Sequence, residues 1–171
     1  MAKNTFFIRA SLNAGDTGAF AQTEIDLGSY TNLGSSKPEV LRIHNVQVAL
    51  TDSSGMMANV NTDKIAEFAW QLTTQSQSAI VLITDDSFVS GGRGAVRNPD
   101  GADTTAGSQA HTAQLLPQDF TAGYVVAVPS LFLGGQGGSE YAEDLYVSVM
   151  LECTTEPMSK ANAVALAISQ Q

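Results

Sequence analysis

Residues 144–154 read DLYVSVMLECT, and this stretch decides the fold class. Apolar side chains occupy every second position from Leu145 to Cys153, while the positions between them are mostly polar. Alternation with a period of two is the signature of a β-strand, because successive side chains of a strand point to opposite faces. The stretch predicts a strand in which Val147, Val149 and Cys153 share one buried face.

Short apolar runs of the same kind continue toward the amino end, separated by clusters of Gly, Ser, Asn, Asp and Pro. This spacing is typical of a β-sandwich or barrel. We predict an all-β, eight-stranded sandwich, in which Pro129 marks either a bulge or a point where its strand reaches an edge, because proline cannot donate to a strand ladder. The predicted runs are 4–12, 20–27, 39–50, 65–73, 78–84, 123–133 and 144–154.

Details of the strand order follow from the same pattern. Residues 65–73 and 78–84 are expected to form a hairpin with a central second strand. The change of apolar phase within 39–50 predicts a bulge, a twist or burial on both faces. Residues 134–138, GGQGG, are expected to be a flexible loop. The weakly patterned stretch 85–118 is expected to be an exposed insertion, because its many glycines and its Asn98-Pro99-Asp100-Gly101 run favour turns.

The carboxyl end changes from a strand pattern to a helix pattern. Pro157 suits a first helical turn, Ser159 suits a helix cap, and four apolar residues follow at helical spacing: Ala161, Val164, Ala165 and Ile168. We therefore divide the chain into a β-sandwich domain, 1–156, and a short amphipathic tail, 157–171. The apolar stripe of this tail, above all Val164 and Ile168, is predicted to dock on a neighbouring subunit.

Composition excludes several classes of protein. The 171 residues fit one domain, and the net charge of −9 argues against direct nucleic-acid binding, which depends on neutralising phosphates. A single cysteine excludes an internal disulfide and a thiolate zinc cluster. We expect no signal peptide and no membrane span, because no apolar run reaches the necessary length.

The sequence contains few residues of the types that catalysis requires. The one cysteine, Cys153, lies on the apolar face of its strand and is expected to be a buried, inert thiol, while His44 and His111 are the only histidines. Two histidines are too few for a cupin-type metal site. Polar loop residues leave calcium open, but their spacing matches no known calcium loop: Asp85, Asp86, Asn98, Asp100, Asp103, Glu140, Glu143 and Asp144. We predict no enzyme activity, no catalytic residues and no cofactor.

Two of the eight basic residues, Arg93 and Arg97, lie close together in the predicted insertion. They are candidates for inter-subunit contacts with acids such as Glu140 or Asp144 of another copy. Charges that only keep a loop in solution explain them equally well.

The chain resembles the single jelly-roll major capsid proteins of tailless icosahedral viruses with an internal membrane. The resemblance rests on the strand count, the predicted hairpin of 68–72 with 80–83, the glycine-rich insertions, and the late strands followed by a tail. It implies a shell subunit of the virion that assembles in the host cytoplasm, as a trimer or pseudo-hexameric capsomer of its own copies. A second capsid protein and the internal membrane are further partners that the family implies.

Two other classes remain open at this point. A β-sandwich binding module, such as a carbohydrate-binding or fibre-tip domain, would be a monomer or simple trimer with a site on its loops. An enzyme of cupin type is the third reading. Particle size in solution separates the capsid subunit from the binding module.

Overall fold

The computed structural model of the protein describes residues 5–99 and 109–171. These residues form nine strands, one short 3-10 helix and one α-helix. Their bounds are β1 Phe6–Gly15, β2 Ala21–Asp26, β3 Glu39–Thr51, β4 Ile65–Thr73, β5 Phe88–Arg97, β6 Gln109–Leu115, the 3-10 helix Pro117–Asp119, β7 Tyr124–Val126, β8 Ser130–Gly137, β9 Leu145–Pro157 and α1 Lys160–Ser169.

The strands form two antiparallel sheets packed as a sandwich. The four-stranded sheet has the order β1-β9-β3-β7, and the five-stranded sheet has the order β2-β8-β4-β5-β6. When β6 is set aside, the first strand pairs with the last, the second with the next to last, and so on inward to the hairpin of β4 and β5. This nested pairing is the jelly-roll fold. The predicted all-β sandwich with a short C-terminal helix is confirmed.

The strand β6 is an addition to the eight of the jelly roll. It pairs with β5 and extends the five-stranded sheet at one edge. The predicted number of eight strands is therefore one too low for the described residues. The extra strand comes from the stretch 85–118, which lacks clear alternation, and residues 100–108 of this stretch lie outside the described residues.

The core lies between the sheets and is built from the alternating positions of their strands. All five apolar positions of β9 named by the alternation are buried, and Leu151 and Cys153 are fully so. Trp70 of β4 is the largest fully buried side chain on the facing sheet. The predicted face of the 144–154 stretch is thus confirmed.

The predicted hairpin is wrong. Residues 78–84 form no strand, and β4 pairs instead with β5 and β8. Because both edges of β4 are already occupied, no ladder is left for 78–84, and the segment lies over the sheet. The predicted insertion is also wrong in its first part, because residues 88–97 form the regular strand β5 despite three glycines.

Glycines in β5 and β8 make room for aromatic rings. A Cβ atom on Gly92 would lie 2.6 Å from Trp70 Nε1, and one on Gly134 would lie 2.7 Å from the ring of Phe20. The predicted flexible loop 134–138 is therefore mostly part of β8. Pro129 lies between β7 and β8, where the chain crosses from one sheet to the other.

Two local predictions are confirmed. The pairing of β3 with β9 shifts register between Ile43 and Asn45, which is the expected irregularity in 39–50. The backbone N–H of Asn162 donates to the hydroxyl of Ser159, which caps α1. Pro157, however, ends β9 instead of entering the helix. Among the described residues, no helix is long and apolar enough to cross a membrane.

Candidate functional site

The residues considered for catalysis form no nucleophile–base pair among the described side chains. Cys153 is buried between the sheets, and burial raises the pKa of its thiol to about 12. The ring nitrogen Nε2 of His44 lies 2.9 Å from the hydroxyl of Thr154 on the adjacent strand. The side chain of His111 lies outside the described part of the structure. No thiolate and base are brought together, so the arrangement offers no activated nucleophile among the described side chains.

Three of the acidic residues considered for calcium accept hydrogen bonds from donors of the protein itself. Glu143 accepts from the backbone N–H of Asn59 at 2.8 Å, and Asp144 accepts from the amide of Asn13 at 2.8 Å. Asp85 accepts from the N–H and the hydroxyl of Ser87, bonds that lower the pKa of its carboxyl group. Within the described residues, no three His, Cys, Asp or Glu side chains form a group that could hold a metal ion. The candidates Asp100 and Asp103 lie outside those residues.

The segment 78–84 crosses the outer face of the five-stranded sheet. Gln71 of β4 holds it from below: its Nε2 donates to Ala79 O at 3.0 Å, and its Oε1 accepts from Val81 N at 2.8 Å. Gln71 is fully buried under the segment. Arg93 of β5 adds a third bond, from its guanidinium to Val81 O at 3.0 Å. The backbone of the segment is thereby fixed to the sheet.

Fixing this backbone exposes two large apolar side chains. Leu82 is 67% exposed and Ile83 is 66% exposed. Sequence reasoning placed both in a buried central strand and so missed them. The one available signal was that the run 79–83 is apolar without alternation, which leaves its burial undetermined.

Arg93 and Arg97 are exposed as predicted, but they lie on a strand and not in a loop. Being four residues apart on β5, they share the outer face of the five-stranded sheet. The opposite edge of this face carries Glu24 and Asp26 of β2. The face is therefore basic at one side and acidic at the other. This distribution favours a neighbour whose charges are complementary, acidic opposite the arginines and basic opposite the carboxylates.

The helix α1 has two apolar sides. One side packs on the chain's own sandwich, where Ala163 is buried against Val40 and Ala127. The other side carries the four residues of the predicted stripe, all of them exposed: Ala161, Val164, Ala165 and Ile168. Val164 is 49% exposed and Ile168 is 66% exposed. The predicted stripe thus exists, but a different set of residues attaches the helix to the sandwich.

A third group of exposed apolar side chains lies at the end of the sandwich opposite α1. Met56 and Met57, in the connection between β3 and β4, are 69% and 48% exposed. The connection is held by a bridge between Val60 and Tyr141, which comes from the connection between β8 and β9. Neither this tip nor 78–84 was among the predicted contact residues.

The arrangement of strands also appears in solved structures of virus proteins. The VP1 pentamer of Human Polyomavirus 7 aligns with a TM-score of 0.50 and 9% identity, over 90% of this chain and 95% of that chain. The chain shares the fold of this VP1. New Jersey polyomavirus VP1 aligns over 91% of this chain and all of its own, with a TM-score of 0.46 and 8% identity.

Merkel cell polyomavirus VP1, solved in complex with disialyllactose, aligns over 92% of this chain and 97% of that chain, with a TM-score of 0.46 and 9% identity. No family model matches the sequence, and no curated protein matches it. The likeness therefore concerns the fold.

Proposed function

We propose that this chain is a shell subunit of a virus capsid, without enzyme activity, whose partners are other copies of itself. One observation carries the proposal: at three separate places on the jelly roll, large exposed apolar side chains occur in pairs. These places are the 78–84 segment with Leu82 and Ile83, the outer side of α1 with Val164 and Ile168, and the tip formed by Met56 and Met57.

Apolar exposures at separate places suit a subunit with several neighbours. Burying a large apolar side chain contributes about 1.5–3 kcal/mol, so each pair of residues supplies a weak contact. Weak contacts repeated around every copy stabilise a shell, whereas a single binding site for a small ligand is usually one concave pocket.

The polar surface is compatible with such contacts. Only 15% of the residues are charged. Uncharged polar groups cost less to remove from water than charges do, and the cores of protein interfaces are depleted in charge. Arg93 and Arg97 belong to this proposal as charged contacts at the margin of an interface, with the acidic side of a neighbouring copy as their partner.

The proposal extends to the kind of particle. We place the subunit in a virion of the internal-membrane type, built from trimeric or pseudo-hexameric capsomers, with a second capsid protein as a further candidate partner and assembly in the host cytoplasm. The charge of −9 supports a shell that does not bind its genome directly.

Light scattering and negative-stain microscopy of the purified protein test the proposal. We expect oligomers that grow with protein concentration, and a loss of assembly in the double variants Leu82→Ser/Ile83→Ser and Val164→Ser/Ile168→Ser. Phe120→Ser is the matched control, because Phe120 is 51% exposed but lies outside the three surfaces. A monomer at every protein and salt concentration would refute the proposal and favour the β-sandwich binding module.

A further inference from the structure

Strand β7 forms an edge of the four-stranded sheet. One side of β7 pairs with β3, from Leu41 and Val126 to Ile43 and Tyr124. On its other side, the carbonyl of Val125 and the N–H of Ala127, the residue after β7, bond to a group outside the sheet. Such an edge is a template for adding a strand from another chain, and natural proteins usually block it.

The side chain of Gln170 blocks this edge. Its Nε2 donates to Val125 O at 2.7 Å, and its Oε1 accepts from Ala127 N at 2.9 Å. A residue of a parallel neighbouring strand would bond to the same two backbone groups. Gln170 is 3% exposed although it follows the last turn of α1. One side chain thus takes the place of an added strand.

The position of Gln170 depends on the docked helix. Its own carbonyl accepts from the hydroxyl of Thr74 at 2.6 Å, and Thr74 follows β4 of the other sheet. Ala163, Leu166 and Ala167 of α1 pack beside the same edge, on Val40 and Ala127. If the helix left, the edge and an apolar surface next to it would open together.

The chain itself contains a segment suited to such an edge. Residues 79–83 read AIVLI, are rich in β-branched side chains, and contain neither glycine nor proline. They belong to no strand, and Leu82 and Ile83 extend into solvent. In its own copy the segment is bonded to Gln71 and Arg93, so these bonds must break before its backbone can join a second copy. Strand addition gains affinity from backbone hydrogen bonds and specificity from alternate side chains that meet apolar surface.

We infer that β7 is a closed strand-acceptor site, that Gln170 is its plug, and that the segment it excludes is residues 78–84 of a second copy. The inference rests on the bonds of Gln170 and does not depend on the proposed capsid function. It gives α1 a second role, because the docked helix keeps copies from joining through β7 and its release permits that joining.

The test uses Gln170→Met, which keeps the size of the side chain and removes both bonds, with Gln171→Met as the control at the exposed next position. Amide hydrogen exchange is measured by NMR, and binding of a fluorescein-labelled peptide of residues 77–86 is measured by anisotropy. We expect exchange of the Ala127 amide to accelerate about tenfold or more, and the peptide to bind Gln170→Met only.

Two results would overturn the inference. Unchanged exchange at Ala127 would mean that Gln170 does not protect the edge, and faster exchange without peptide binding would mean that the open edge accepts no strand. If Gln170→Met does not fold, Gln170→Asn provides the same test, because the shorter amide cannot span both backbone groups.

Discussion

Arg42 and Glu156 join the two central strands of the four-stranded sheet. The guanidinium of Arg42 on β3 donates to both carboxylate oxygens of Glu156 on β9, with N···O distances of 2.9 and 2.5 Å. The side chains are only 20% and 16% exposed. The hydrogen bonds to Glu156 raise the pKa of Arg42, and a two-point pair of this kind fixes the relative position of the strands.

We expect Glu156→Gln to reduce the free energy of unfolding by about 1–2 kcal/mol, since a charged hydrogen bond is lost and a largely shielded guanidinium remains. Urea denaturation measures the loss. Glu39→Gln, which removes an exposed carboxylate near the same end of β3, should change stability little. Equal losses in the two variants would show that net charge, and not the pair, is responsible.

Gly92→Ala tests the contact between β5 and Trp70. The new methyl group would lie 2.6 Å from Trp70 Nε1, so the indole must move, and overpacking of this kind costs about 1–3 kcal/mol. Because Trp70 is the only tryptophan, its emission should shift as well. Gly34→Ala is the control, since its Cβ would meet nothing closer than 3.9 Å. A normal emission spectrum and normal stability for Gly92→Ala would contradict this packing.

Gln71→Met should free the 78–84 segment while the sandwich stays folded. The variant loses both bonds to the backbone of the segment but keeps an apolar side chain in a buried place. Limited chymotrypsin digestion should then cleave after Leu82 several times faster than in the parent protein, because local opening governs cleavage. Gln47→Met, on an exposed position of β3, should leave the rate unchanged. Cleavage at the parent rate in Gln71→Met would show that Gln71 is not the anchor.

Stability should fall as pH rises from about 9 toward 12. Burial raises the pKa of Cys153 from 9.0 and that of Tyr141 from 10.0, each to about 12. Above pH 9 the unfolded chain loses these protons while the folded chain retains them, so the unfolded state binds fewer protons and is favoured. Each group contributes at most about 1.4 kcal/mol per pH unit.

Urea midpoints measured from pH 8 to 11 test this dependence. Cys153→Ala and Tyr141→Phe should each make the decline less steep, whatever they do to stability at neutral pH. A decline of unchanged steepness in both variants would exclude these two groups as its cause.

The alternating strands could be predicted from sequence because their pattern is set by burial on one face. Residues 65–73 and the apolar face of β9 were placed correctly for this reason. Strand β5 and the glycine-rich second half of β8 could not be found in this way, since their glycines make room for the rings of Trp70 and Phe20, which are distant in sequence.

Some of the exposed apolar residues could also be predicted from sequence, and others could not. Helical spacing was enough to predict the exposed stripe with Val164 and Ile168. Exposure of Leu82 could not be predicted, because it depends on which edges of β4 are already paired. Nothing in the sequence indicated the role of Gln170. A polar residue after a helix is common, and only the structure shows that its side chain lies at the edge of β7.

The pairing of β1 with β9 governs when this molecule can finish folding. Ser11 and Ser148 face each other across that ladder although 137 positions separate them. At a synthesis rate of ~5–20 residues per second, β1 leaves the ribosome roughly 7–30 s before its partner exists. Throughout that interval β1 lacks the strand against which its backbone bonds are made, so its apolar face depends on chaperones or on provisional contacts. Nested topology therefore makes the nascent chain more prone to aggregation than the finished one, and slows the last folding step.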